Sequence, residues 1–155
     1  MTNTAALGVP TFARKAMFGT NPIAFSIPAH DGRMFTLDMS TTVVTRGKIE
    51  VYDREQKPLP AGWAVNTRGV VTSDAHRLLE DMLYQRGGGI LPLGGAGELL
   101  SGYKGYGLAE VVDIMTAILS GGTFGQSVVD SQATSARVCH FFGAIRHDLF
   151  RDPEA

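Results

Sequence analysis

Residues Gly102-Tyr103-Lys104-Gly105-Tyr106-Gly107-Leu108 lead into a stretch that is apolar on almost every helical face. Leu108, Val111, Val112, Ile114, Met115, Ile118 and Leu119 cover most of the circumference of a helix predicted from about Gly105 to Leu119, with Gly121-Gly122 as its stop. A helix apolar all round has to be covered all round, which makes it the central element of the fold. The segment that feeds it has a different character. Three glycines leave the backbone bare, one lysine projects among them, and the helix start offers N–H groups and the positive end of its dipole. Such an arrangement suits a phosphate or carboxylate. The same glycines also serve as plain turn punctuation, and local pattern leaves both readings open.

A chain of 155 residues makes one ordinary domain. A net charge of −1 argues against a general nucleic-acid or membrane-surface role. There is no apolar run of transmembrane length and no signal-like start, and Cys139 stands alone, so a reducing cytoplasm is the expected location. His30, His76, His140 and His147 are scattered, with no metal-site spacing. No domain boundary shows inside the chain.

Ile23 to Ile27 reads as a strand ended by Pro28, and Met34 to Asp38 as its partner. Asp31-Gly32 between them supplies the positive φ of a hairpin turn. Thr20-Asn21-Pro22 and Asp38-Met39-Ser40-Thr41 then lie near each other at one end. A helix is expected from Ser40 to Val51, with Ser40, Thr41 or Thr42 as N-cap. Gly62 to Val65 is extended and turns at Asn66 to Gly69. Ala75, Leu78, Leu79, Met82 and Leu83 form one buried stripe of a helix from Asp74 to Tyr84. Much of 85–107 is expected as loop, Ala136 to Ile145 as a last strand, and Arg146 to Ala155 as a polar tail. The class is α/β or α+β. Gly102, Gly105 and Gly107 give G-x-x-G-x-G, which is not the dinucleotide fingerprint, so a Rossmann fold is disfavoured.

Taken in order, seven stretches form a pattern. They are Gly19 to Ala24, Leu37-Asp38-Met39-Ser40-Thr41-Thr42, Arg46-Gly47-Lys48-Ile49 with Gly62-Trp63-Ala64, Leu91 to Gly95, Gly102 to Leu108, and His140-Phe141-Phe142-Gly143-Ala144-Ile145. The series closely resembles the malate/L-lactate dehydrogenase family of the second, non-Rossmann type. That family includes ureidoglycolate and sulfolactate dehydrogenases and diketogulonate and piperideine-carboxylate reductases. The resemblance covers nearly the whole chain.

The resemblance implies NAD- or NADP-dependent hydride transfer between a 2-hydroxy acid and a 2-oxo acid, or onto a cyclic imino acid. It implies a homodimer and a largely antiparallel mixed sheet flanked by helices. It matches the segment Thr36, Leu37, Asp38, Met39, Ser40 and Thr41, and the segment Tyr103, Lys104 and Gly105, to cofactor contacts. Thr20 and Asn21, at the same end of the hairpin, are read as facing substrate. Family members are longer, and their catalytic histidine sits in a Ser-His pair, a dipeptide absent from these 155 residues. The expectation is therefore a single cofactor-binding domain, the central portion of a longer oxidoreductase, lacking the N-terminal catalytic and C-terminal segments and a poor catalyst alone. Asp38 is read as an orienting carboxylate for that histidine or its serine.

Simpler roles compete residue by residue. Asp38, Ser40, Thr41 and Thr42 can cap a helix, Lys104 can be a solvated lysine, and Tyr103 and Tyr106 can be packing. Trp63 reads as core or interface, His140 as a packed histidine and His76 as surface. A non-catalytic binding module of the same fold is the rival reading for the whole chain.

Overall fold

The computed structural model describes residues 1–150 apart from 130, 132 and 134, and apart from the side chain of His147. The polar tail expected at 146–155 thus falls partly outside the described residues.

The hairpin forms as the alternation dictates. β1 (Ile23–Pro28) pairs antiparallel with β2 (Met34–Met39), with Ile23 opposite Met39 and Pro28 opposite Met34. The turn places Asp31 at φ 61° and Gly32 at φ 70°. This register puts Ile23, Phe25, Ile27, Phe35, Leu37 and Met39 on one face and Ala24, Ser26, Thr36 and Asp38 on the other. The hairpin stands out from the rest of the molecule, and both faces are largely exposed beyond Ile23.

α1 spans Arg46–Arg54, not Ser40 to Val51, and its N-cap is Thr45, whose side chain accepts the Lys48 N–H. The residues expected to start this helix are extended instead. Thr42 bridges Pro92 in antiparallel sense, and the Val43 N–H donates to the Leu91 carbonyl at 3.0 Å. Thr41-Thr42-Val43-Val44-Thr45 is β-branched throughout, which favours the extended form once a partner is present.

β3 (Ala64–Val65) pairs antiparallel with β4 (Gly89–Ile90). The second of these was expected as loop. Residues 7–9 run beside β4 in parallel, with Val9 N–H donating to Ile90 O and Ile90 N–H to Leu7 O, both at 2.9 Å. The described sheets are therefore small and antiparallel, extended by isolated bridges, rather than one broad sheet. α2 (Ala75–Leu83) is capped by Asp74. It packs with α1 around Ile49, Leu59, Ala64, Ala75, Leu78 and Ile90. Leu83, expected in the buried stripe, is exposed.

α3 (Gly102–Asp113) starts one turn earlier than predicted and widens into a π-helical turn over Ile114–Ile118. It is not covered on every side. Ala109, Val112, Asp113, Thr116 and Ala117 form its buried stripe, whereas Leu108, Val111, Ile114 and Ile118 are exposed. No strand forms over 136–145; a single bridge joins Thr2 to His140. His140 is correspondingly an exposed histidine rather than a packed one, its Nδ1 2.8 Å from Thr2 Oγ1. Among the described residues, no helix is long and apolar enough to cross a membrane.

Candidate functional site

The sequence motifs meet through backbone hydrogen bonds. Thr41 N–H and Oγ1 both donate to the Thr20 carbonyl, at 2.9 and 3.1 Å. The Thr41 carbonyl accepts the Leu93 N–H at 2.8 Å, and the Leu93 carbonyl accepts the Gly105 N–H at 3.2 Å. This run joins the base of the hairpin, the Leu91 to Gly95 stretch and the first turn of α3. Thr20, Thr41 and Gly105 are thus brought together, and the hairpin ends lie side by side as the sequence predicts.

The glycines at the start of α3 serve this close approach. A Cβ on Gly105 would run into the Leu93 backbone, and one on Gly102 into the Gly95 carbonyl oxygen. The helix terminus is closed by its own chain. Gly102, Lys104 and Gly105 N–H groups donate to the carbonyls of Gly97, Ser101 and Leu93. The bare backbone expected there is spent on packing, which leaves the lysine side chain as the group that projects. Lys104 is exposed, its Nζ 6.0 Å from the Tyr103 ring centroid. Tyr106 stacks on Phe18 with centroids 5.6 Å apart and donates to Glu110 at 3.2 Å; burial first, then Glu110, pushes its phenol up.

The other segment divides by face. Thr36 and Asp38 are exposed on the polar face of the hairpin; Leu37 and Met39 lie on the apolar face. Ser40 Oγ donates to the Thr42 carbonyl at 2.9 Å, and Thr42 Oγ1 to the Val44 carbonyl at 2.8 Å. These hydroxyls brace the extended turn, and the segment is a strand-to-extended junction rather than the strand-to-helix junction expected. Thr41 is fully buried, with its hydroxyl spent on Thr20.

Asn21 is also fully buried. Its Oδ1 accepts the Thr4 N–H at 3.2 Å, and its Nδ2 donates to Ala109 O at 3.1 Å and Asp113 Oδ1 at 3.3 Å. Asp113 was not singled out from the sequence, although it falls on one helical stripe with Ala109, Val112, Thr116 and Ala117. Its Oδ2 accepts the Gly125 N–H at 3.1 Å. Burial pushes its carboxyl above the ordinary range, against the pull of hydrogen bonds from Gly125, Asn21 and Asn3. The remaining described imidazoles lie at other places: His30 beside Asp31 in the hairpin turn, and the exposed His76 of α2, 3.4 Å from Asp53. Trp63 is half-buried against Tyr52, centroids 5.0 Å apart.

An α+β unit with small antiparallel sheets, in which a hairpin base and a glycine-started helix share one hydrogen-bonded run, is an architecture other than Rossmann. Comparison with known proteins agrees. The family model described as malate/L-lactate dehydrogenase matches residues 1–155, and the chain belongs to that family. It is similar to a malate dehydrogenase of Pyrococcus abyssi, 47% identical over 150 residues, covering 97% of this chain and 40% of the relative. It is also similar to a delta(1)-pyrroline-2-carboxylate/delta(1)-piperideine-2-carboxylate reductase of Pseudomonas aeruginosa, 39% identical over 112 residues, covering 72% of this chain and 29% of the relative. Among solved structures, a malate dehydrogenase from Entamoeba histolytica superposes with a TM-score of 0.74 at 32% identity, covering 82% of this chain and 35% of that one. The chain therefore spans about two fifths of the length of the curated malate dehydrogenase it matches.

Proposed function

We propose that this chain supplies the nicotinamide-dinucleotide-binding part of an enzyme that moves a hydride between NAD or NADP and a small 2-hydroxy acid or 2-oxo acid, with cyclic imino acids as a second substrate class. The supporting observation is the run from Thr20 through Thr41 and Leu93 to Gly105, which anchors the two candidate cofactor segments to one another. A dinucleotide needs a cation for its pyrophosphate and an acceptor for its sugar hydroxyls. The exposed Lys104 and Asp38 are of those types. With Asn21 and Thr41 buried in the frame, direct contact falls to Thr36, Asp38, Ser40, Tyr103 and Lys104, with Thr20 toward the substrate. When bound, the nicotinamide carries the hydride. The dehydrogenase and reductase names of the relatives lend no support to the binding-module alternative.

The same reading includes a homodimer working in the cytoplasm. It also expects little turnover from these 155 residues by themselves, because no Ser-His pair is present and a general acid contributes roughly 10²–10⁴-fold to rate. Calorimetric titration with NADH and NADPH tests the assignment. Lys104→Ala is expected to weaken binding about tenfold or more, since a hydrogen bond to a charged group is worth about 1.5–3 kcal/mol. Unchanged affinity removes Lys104 from the site. A wild-type chain that binds neither cofactor overturns the reading.

A further inference from the structure

The groups that face the Asp113 carboxylate are neutral donors: the Asn21 amide, the Gly125 N–H and the Asn3 amide. Asn21 sits at φ 38°, in the left-handed region, with its side chain fully engaged. Asparagine is one of the few non-glycine residues that adopts this region readily, and here its amide is bonded on both sides. Asn21 takes one bond to Ala109 and one to Asp113, four residues apart on α3, so both ends of one helical turn grip it. The preceding residue is Thr20, whose N–H donates to Thr4 Oγ1 at 3.0 Å and whose carbonyl carries Thr41.

The bonds close a ring. It runs along α3 from Gly105 to Asp113, crosses to Asn21 and Thr20, passes to Thr41 and Leu93, and returns to Gly105. Losing the Asp113 bond leaves Asn21 held to α3 by the Ala109 carbonyl alone, and the base of the hairpin freer to shift against the start of α3. A buried carboxylate is a costly member for such a ring. Its advantage is chemical: two acceptor oxygens take the Asn21 and Gly125 donors together, which the single oxygen of an asparagine cannot do in the same geometry.

We propose that Asp113 is a positioning residue for the dinucleotide site. Its carboxylate fixes Asn21, and through Thr20 and Thr41 it sets where the exposed edge from Thr36 to Ser40 stands relative to Lys104. This role rests on the dinucleotide reading above, and Asp113 itself touches neither cofactor nor substrate.

The test compares wild type with Asp113→Asn in the full 155-residue chain, by amide hydrogen exchange and by titration with NAD⁺, which tolerates acid. In the variant, the amides of Thr41 and Gly105 should exchange at least about tenfold faster, while those of Leu78 and Ile90, in the separate α1–α2 core, stay as they were. Affinity should fall about tenfold, the loss expected from one hydrogen bond to a charged group. That affinity gap should close as pH is lowered through the Asp113 titration, where the wild-type carboxyl is itself neutral. Faster exchange at all four amides alike, unchanged exchange, or an affinity gap independent of pH overturns the proposal. If the variant fails to fold, the wild-type protection of Thr41, corrected for intrinsic exchange, should fall as pH falls through the same titration, because local opening removes the Asn21 and Gly125 donors that hold the still-buried carboxyl down; a flat profile overturns it. A wild type that binds no NAD⁺ sinks the dinucleotide reading and the positioning role with it. Local loss at Thr41 and Gly105 in that case would mark the ring as frame alone, so the two failures are distinguishable.

Discussion

Gly105 donates its N–H to the Leu93 carbonyl at 3.2 Å, and the backbone of Leu93 fills the space that a Cβ on Gly105 would need. The helix start is therefore pressed directly onto the chain that carries Thr41. Gly107, two residues later, has open space around its missing side chain. The two glycines should respond in opposite directions to the same substitution. Gly105→Ala should destabilise by about 1–3 kcal/mol or more, because backbone has to move. Gly107→Ala should stabilise by up to about 1 kcal/mol through helix propensity. Urea unfolding of the two variants decides it, and equal effects would show that the close approach to Leu93 is not what Gly105 is for.

The start of α1 gives a second check. Thr45 Oγ1 accepts the Lys48 N–H at 3.3 Å. Thr45→Ala should cost about 1 kcal/mol as a lost N-cap. If Ser40 were the cap, as local pattern permits, Ser40→Ala would cost more than Thr45→Ala, and that order would overturn the helix boundary.

The hairpin was readable because strand alternation and Asp31-Gly32 are local signals. α2 was readable because its apolar stripe repeats at helical spacing. The entry to α1 was not, since Ser40, Thr41, Thr42 and Thr45 are all acceptable caps. What decides between them is the pairing of Thr42 and Val43 with Leu91 and Pro92, a distant partner that no local pattern reveals. The expected strand over 136–145 fails for the complementary reason: its pattern is permissive, but only His140 finds a bridge, to Thr2. In the site, the projecting Lys104 was legible. The purpose of Gly102 and Gly105 was not, because it depends on what they approach. Asp113 could have been noticed as an acid on the same stripe as Ala109, Val112 and Thr116.

Asp113 also predicts a pH dependence of stability. Its carboxyl is raised in the folded chain, by burial above all. Between the ordinary aspartate range and that raised value, the folded state holds more of the proton than the unfolded state. Stability from this group therefore falls as pH rises through that window and is flat outside it. Asp113→Asn should remove this component of the slope. Urea midpoints measured across the acid range check it, and an identical slope in the variant would show that Asp113 does not titrate in the window.

The apolar face of the hairpin leads to the last prediction. Phe25, Ile27, Phe35 and Leu37 share one face and are 46%, 53%, 58% and 37% exposed, while the opposite face carries Ser26, Thr36 and Asp38. α3 adds a second exposed apolar strip at Leu108, Val111, Ile114 and Ile118, in place of the complete cover that its sequence calls for. Contiguous apolar surface of this kind drives association. Sedimentation velocity over a dilution series should show the chain self-associating. Phe35→Lys, placed opposite Ile27 at the outer part of the face, should weaken association while changing unfolding stability by no more than about 0.5 kcal/mol, because that side chain is mainly in solvent. A wild-type chain that stays monomeric and unfolds cooperatively at low micromolar concentration would show that the hairpin face is tolerated bare. An unchanged association in Phe35→Lys would shift the contact to the outer strip of α3, where Val111→Lys is the matching test.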